Sequence, residues 1–315
     1  MFIVSLDFEL FWGVRDHRGI EYYAALRNVR DVVPRLLDLF EKYEVACTWA
    51  TVGALCGETI EDFKGCMPEA LPSYVEKKYS PYSQLEQLSC LDPSILFAPD
   101  LVSLIRKYPN QEFASHTFSH FYCLEDGQTL QQFDADCVAF SKIAKYSVSS
   151  LVFPRNQFNP EYLAVCKKHG FIVYRGNPKH WAYLAETRGQ RDIVKRVFRF
   201  LDAYIPLSGS LGQRIGVDPL SGMADVPASL FLRPYTKKLR YVDFIKVARI
   251  KWSMKQVALK GGLFHLWFHP HNFGTYVEEN FSMLEDILIY YSKLRKEYGF
   301  KSATMKGVAE EYLRG

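Results

Sequence analysis

Seven short apolar runs constrain this chain most, because segments with a helical period separate nearly all of them. The runs lie at 2–8, 45–52, 112–115, 151–153, 171–174, 263–268 and 300–304. Helical segments are expected at 23–43, 96–108, 130–145, 160–169, 277–298 and 306–313. In the first of these, Val29, Val32, Val33, Leu36, Leu37 and Phe40 fall on one stripe. The second stops before Pro109 and the fourth is closed by Gly170. Strands alternating with helices imply parallel βα units. No glycine-rich dinucleotide fingerprint follows the first run, so a closed sheet is expected rather than an open one. The predicted fold is α/β, a distorted (β/α)7-type barrel forming a single domain over 1–315. Two stretches lack the period. Residues 53–93 read as a loop or small cap, and 177–262 as one large insertion in a βα connection, with a helical piece at 242–259.

Composition narrows the partners. Apolar residues make up 48% of the 315, enough for a large core. The net charge of +4 is too small to argue for nucleic acid. A basic stretch at 233–260 suits an anionic substrate or a membrane face, with Arg233 the best single choice for a phosphate contact. The first residues are apolar but lack a basic lead-in, and they run straight into charge, so they are not read as a signal peptide. No apolar run reaches the length of a membrane span. The seven cysteines show no CxxC spacing and are read as reduced thiols. A cytoplasmic location is therefore expected, with peripheral contact at the inner membrane face.

Four clusters offer chemistry. Ser115-His116-Thr117-Phe118-Ser119-His120 sets two histidines four apart where a strand enters a turn, and such a pair can converge on one metal ion. Asp7 and Glu9 close the first strand. Alternation puts both carboxylates on one face, where burying them is costly unless they are paired or metal-bound. In Phe264-His265-Leu266-Trp267-Phe268-His269, residues 265, 267 and 269 share a face and His269 ends the strand. His265 is read as a hydrogen-bonded core residue. Phe153-Pro154-Arg155-Asn156-Gln157 stands at another strand end, where Arg155 could orient a carboxylate and the amides could bind hydroxyls. In a parallel barrel such strand ends gather at one face, so Asp7, His116 and His269 are expected around one pocket.

In this order, the four clusters resemble the polysaccharide deacetylase family, the NodB-homology carbohydrate esterases. The resemblance runs from Phe2 to about Leu313 and is weakest over 177–262. It implies a divalent ion, Zn²⁺ first, held by Glu9, His116 and His120. It further implies Asp7 as base, His269 as the acid for the leaving amine, and Arg155 holding Asp7 ionised. Trp12, Asn156, Trp267, His271 and Arg233 are expected to contact the substrate. The runs around Asp7–Gly13 and His265–Gly274 look like a subgroup tied to lipopolysaccharide O-antigen biosynthesis. The implied reaction removes an N-acetyl or similar acyl group from an amino sugar carried on a nucleotide or a lipid. Three departures stand out: Glu9 replaces an aspartate, the order Pro154-Arg155 is reversed, and Arg175 follows the fifth strand where the family has an aspartate. Asp202 is the one replacement in view for that aspartate. Two other readings stay open, a metal-independent amidohydrolase on the same barrel and a catalytically inactive sugar-binding homologue.

Overall fold

A computed structural model describes residues 1–187 and 192–314. Its strands are β1 Phe2–Phe8, β2 Cys47–Thr51, β3 Gln111–Ser115, β4 Ser150–Leu151, β5 Val173–Tyr174, β6 Gly216–Val217, β7 Ala224–Asp225, β8 Leu230–Phe231 and β9 Phe264–Phe268. The first helices are α1 Leu10–Val14, α2 Tyr23–Arg27, α3 Val29–Lys42, α4 Ile60–Gly65, α5 Leu85–Ser89 and α6 Pro99–Ile105. The others are α7 Leu130–Ala144, α8 Pro160–Lys168, α9 Ile193–Asp202, α10 Asp243–Lys260, α11 Val277–Tyr298 and α12 Met305–Arg314.

The strand order is β6-β7-β5-β4-β3-β2-β1-β9-β8, parallel except for the β6–β7 pair. Its two ends meet through one segment. β7 pairs with β5, and four residues later β8 pairs with β9. Between them the Ala228 N–H donates to Gly176, and the next residue, Ser229, donates to His265. The 224–231 segment is therefore one irregular strand that closes the barrel. Pro227, which has no N–H, sits where its ladder changes sides. With β1 to β5 and β9 it makes seven strand positions, the expected number, but the seventh is this segment and not 300–304.

This corrects the insertion at 177–262, because the seventh strand comes from inside it. Part of that stretch, 188–191, lies outside the described residues. Two further expectations are adjusted. The helix at 23–43 breaks at Asn28 into α2 and α3, and 300–304 forms only a bridge from Ser302 to Phe2.

β1 shows how the barrel fills. Phe2, Val4, Leu6 and Phe8 point outward and pack with Leu36, Leu37 and Phe40 of α3 in the main core. Ile3 points inward to Val152, Val173, Ala224 and Val226, with Met305 and Val308 of α12 beneath them. Ser5 and Asp7 continue this inward row, so the interior turns polar toward the C-terminal strand ends. Parts of the 53–93 stretch pack against that end. Phe63 of α4 stacks on Phe118, and the Tyr79 carbonyl accepts from Arg15 at 2.6 Å. No described helix is long and apolar enough to cross a membrane.

Candidate metal centre

His116 is the first residue past β3, where its N–H still donates to Thr51 at 2.8 Å. The chain then turns sharply, with Thr117 and His120 both in the left-handed region at φ 63° and 59°. Such conformations cost on the order of 1–2 kcal/mol each and need support. Asp136 of α7 supplies it. Its carboxylate accepts from Phe118 N at 2.7 Å, Ser119 N at 3.2 Å and the Ser119 hydroxyl at 2.5 Å. Burial pushes Asp136 up to about 6 despite these donors.

The two imidazoles converge on Glu9, the residue between β1 and α1. Glu9 Oε2 lies 2.9 Å from His120 Nε2 and 3.4 Å from His116 Nε2. All three side chains are buried, and one ligand atom from each lies within 4.8 Å of the others. A tetrahedral ion with bonds of about 2.1 Å separates its ligands by roughly 3.4 Å, so the spacing suits one ion.

The hydrogen bonding points the same way. His116 Nδ1 sits 2.8 Å from the Val152 carbonyl, which can only accept, so Nδ1 carries the proton and Nε2 the lone pair. Among the described residues that buried Nε2 has no hydrogen-bond partner, nor has His120 Nδ1. A nitrogen lone pair thus faces a carboxylate oxygen, an arrangement that a cation between them relieves. Burial is the largest influence on His120 and holds it near 4, so it is neutral at neutral pH. For Glu9 burial acts upward, but His269, His120 and His116 outweigh it and keep the group well below the usual carboxylate range. Space for Glu9 comes from Gly13, where a β-carbon would stand 2.0 Å from the Glu9 carboxyl carbon.

Asp7 lies beside this triad but is engaged elsewhere. Arg175 grips it with two bonds, 2.6 Å to Oδ1 and 2.8 Å to Oδ2. Burial acts upward on Asp7 too, yet Arg175, His116 and His269 leave it lowered overall. Arg175 is itself held by Ser5 at 3.0 Å and the Asn156 side-chain oxygen at 2.9 Å. Ser5 in turn meets His265 Nε2 at 2.8 Å, so His265 is a core link, as its strand position suggests. With both Asp7 oxygens on Arg175, Glu9 is the carboxylate left facing the histidines.

His269 closes the opposite wall. Its Nε2 lies 3.6 Å from Glu9 Oε1 and 3.7 Å from Asp7 Oδ2, and Asn272 reaches its Nδ1 at 3.3 Å. His271 stands behind it, with ring centroids 5.0 Å apart, and burial draws its pKa down to about 3. Asp7, Glu9, His120, Trp267, His269 and His271 all line one cleft of about 560 Å³.

Three expected residues are placed otherwise. Arg155 does not hold Asp7. It adopts a left-handed turn after β4 (φ 56°), which directs it to Asp16 and, at 2.9 Å, to Glu125. Arg175 takes that role, and its one sequence signal is a cation immediately after a strand. Trp12 is fully buried, 4.7 Å from the Phe63 ring, with its N–H on the Leu96 carbonyl at 2.7 Å, so it presents no face to a ligand. Asp202 is bound by Tyr183 and Ser208 within the 177–262 stretch rather than by His269. Asn156 buttresses Arg175 at the cleft rim. Arg233 lies in a second cavity of about 340 Å³, which shares Arg155, Asn156, Phe231 and Trp267 with the first.

Comparison with known proteins bears on the family and the fold. The family model for polysaccharide deacetylase matches residues 22–174. The fold is similar to a crystal structure described as a polysaccharide deacetylase from Mycobacterium smegmatis, at 12% identity and TM-score 0.62, covering 99% of this chain and 90% of that one. It is also similar to Puue allantoinase, at 10% identity and TM-score 0.56, with the same coverage of 99% and 90%. A third likeness is to a protein described as a polysaccharide deacetylase from Pseudomonas aeruginosa PAO1, at 10% identity and TM-score 0.52, again covering 99% and 90%. At these identities the likenesses concern the fold alone. None of the curated proteins matches the sequence. What the comparisons show is thus a match to the polysaccharide deacetylase family model over residues 22–174, the part of the chain that carries both histidines, and a likeness of fold over nearly its whole length.

Proposed function

We propose that the protein is a metal-dependent hydrolase that removes an N-acetyl or similar acyl group from an amino sugar during cell-surface polysaccharide synthesis, with O-antigen the class suggested by its motifs. The observation that carries this reading is the unpartnered His116 Nε2, its tautomer set by Val152, aimed at a Glu9 carboxylate that His120 also touches. Glu9, His116 and His120 would hold the ion, Zn²⁺ being the best fit to two imidazoles and a carboxylate. When bound, the ion acidifies water and polarises the amide carbonyl.

The chain's own groups do the rest. Arg175 keeps Asp7 ionised, so Asp7 accepts the proton of the attacking water. His269, within 4 Å of both acids, delivers a proton to the amine nitrogen as the C–N bond breaks. The products are a carboxylate and a free amine. Trp267, half-buried on the cleft wall with Arg175 over its ring at 4.4 Å, offers its remaining apolar surface to the sugar ring.

The test is Zn²⁺ binding and hydrolysis of a chromogenic N-acetyl amino sugar, measured together. His116→Ala should lose both, while Asp7→Asn should lose hydrolysis and keep the metal. Hydrolysis that survives metal removal and His116→Ala would favour a metal-independent amidohydrolase.

A further inference from the structure

Helix α9 is packed the wrong way round for a soluble protein. A surface helix ordinarily buries its apolar stripe and shows its polar face. Here the polar side is the one that packs. Asp202 is buried and accepts from Tyr183 at 2.6 Å and Ser208 at 2.8 Å, and Lys195 bonds Glu186 at 2.5 Å. Arg199 offers its carbonyl to Arg233 at 3.3 Å. The outward side carries Ile193 at 72% exposure, Val194 at 65%, Val197 at 52%, Leu201 at 42% and Phe200 at 41%. At 100° per residue these five occupy an arc of about 120° with no charge inside it. Trp181, 48% exposed, touches Phe198 of the same helix at 5.2 Å.

Arg196 borders this arc, while Lys195 and Arg199 lie further round on the packed side, where both reach Glu186. Both arginines also line the 340 Å³ cavity, together with Arg233. Arg233 stands over the Phe200 ring at 5.7 Å and meets no carboxylate within ion-pair range among the described residues. That cavity shares Phe231 and Trp267 with the cleft at the candidate metal centre. An apolar face, an arginine pocket and the candidate metal centre therefore follow one another along the surface. A large apolar arc bordered by an arginine, with an arginine-lined cavity beside it, suits a helix lying in the headgroup region of a membrane. A second protein copy would need no such arginines beside the apolar face, whereas anionic lipid does.

We propose that α9 docks this protein on an anionic bilayer, and that the Arg196–Arg199–Arg233 pocket receives the phosphate or diphosphate joining an N-acyl sugar to a membrane lipid. Docking stands on the helix alone. The identity of the substrate rests on the function proposed above.

Flotation with phosphatidylcholine vesicles, with and without phosphatidylglycerol, tests the inference. Wild-type protein should float with the anionic vesicles. The double variant Val197→Glu/Leu201→Glu should float at least tenfold less, with unchanged melting temperature and Zn²⁺ affinity, because both side chains are already exposed. Wild type that stays at the bottom with either composition overturns the proposal. So does a double variant that floats like wild type, or a wild-type dimer that this variant converts to monomer without any vesicle binding. Binding of inorganic pyrophosphate without flotation assigns the pocket to a soluble, nucleotide-linked substrate and likewise overturns it. Because flotation needs no catalysis, its failure with Zn²⁺ binding intact removes this inference alone, and loss of Zn²⁺ binding with flotation intact removes only the metal chemistry.

Discussion

Gly13→Ala isolates the role of Glu9 without touching a ligand. Gly13 lies inside α1 and outside the left-handed region, so alanine strains no backbone dihedral there. On propensity alone the change would stabilise the helix by about 1 kcal/mol. The new β-carbon, however, would stand 2.0 Å from Glu9 Cδ, 2.2 Å from Oε1 and 2.4 Å from Oε2. Ordinary contact needs roughly 3.5–4 Å, so the carboxylate must retreat by more than an ångström. Oε2 now lies 2.9 and 3.4 Å from the two imidazole nitrogens, and a shift of that size takes it out of a shared coordination sphere. Displacing the support of a ligand costs about 10- to 100-fold in metal affinity, or ~1.4–2.8 kcal/mol. Overpacking adds a stability cost of about 1–3 kcal/mol, which offsets the propensity gain. Zn²⁺ competition with a chromophoric chelator reads the first effect, and thermal melting of the metal-free protein reads the second. If Gly13→Ala binds Zn²⁺ as tightly as wild type, Glu9 is not a ligand and the proposed coordination set is wrong.

Three other outcomes follow from the same contacts. Arg175→Met leaves the Asp7 carboxylate buried without its bidentate partner and should destabilise the protein by about 3–5 kcal/mol in chemical denaturation; the loss should shrink in an Asp7→Asn background, and an equal loss in both backgrounds would show that Arg175 is not the residue that holds Asp7. His265 is kept neutral by burial, with its pKa drawn down to about 3, so the unfolded chain binds a proton there that the folded chain does not. Its contribution is complete above pH ~6.5 and declines as pH falls toward 3, so His265→Gln should flatten the acid limb of the stability profile by up to one proton, and an unchanged slope would contradict that assignment. Trp12→Phe should lower stability by about 1–3 kcal/mol through the stranded Leu96 carbonyl and leave KM unchanged, whereas Trp267→Ala should raise KM; a raised KM in Trp12→Phe would return Trp12 to the substrate.

What could be read in the sequence depended on whether one residue carries its own signal. β1, β2, β3 and β9 are short apolar runs between turn residues, and their ends fixed where Asp7, His116 and His269 would gather. The closing strand gave no such sign. Its residues Ala224-Asp225-Val226-Pro227-Ala228-Ser229 are small or polar, and its proline argues against a strand. It exists because β5 and β9 each offer half a ladder, a tertiary fact that no local window holds. Arg155 and Arg175 exchanged roles for a related reason. Both follow short strands, and only the left-handed turn at Arg155 decides which of them points into the barrel. Trp12 misled because an aromatic residue near an acid fits a sugar platform and a core anchor equally well, and the cap residues Phe63 and Leu96 that bury it lie far away in sequence. The outward apolar face of α9 was hidden because its pattern is that of any amphipathic helix; which face packs is set by Asp202 and its donors.

The most direct test of the account is anomalous diffraction at the zinc edge from crystals grown with Zn²⁺. One peak is predicted, about 2.0–2.2 Å from His116 Nε2, His120 Nε2 and a Glu9 oxygen, with Asp7 still on Arg175. A peak whose ligands omit Glu9 or include Asp7, or no peak at that position at saturating Zn²⁺, would contradict it.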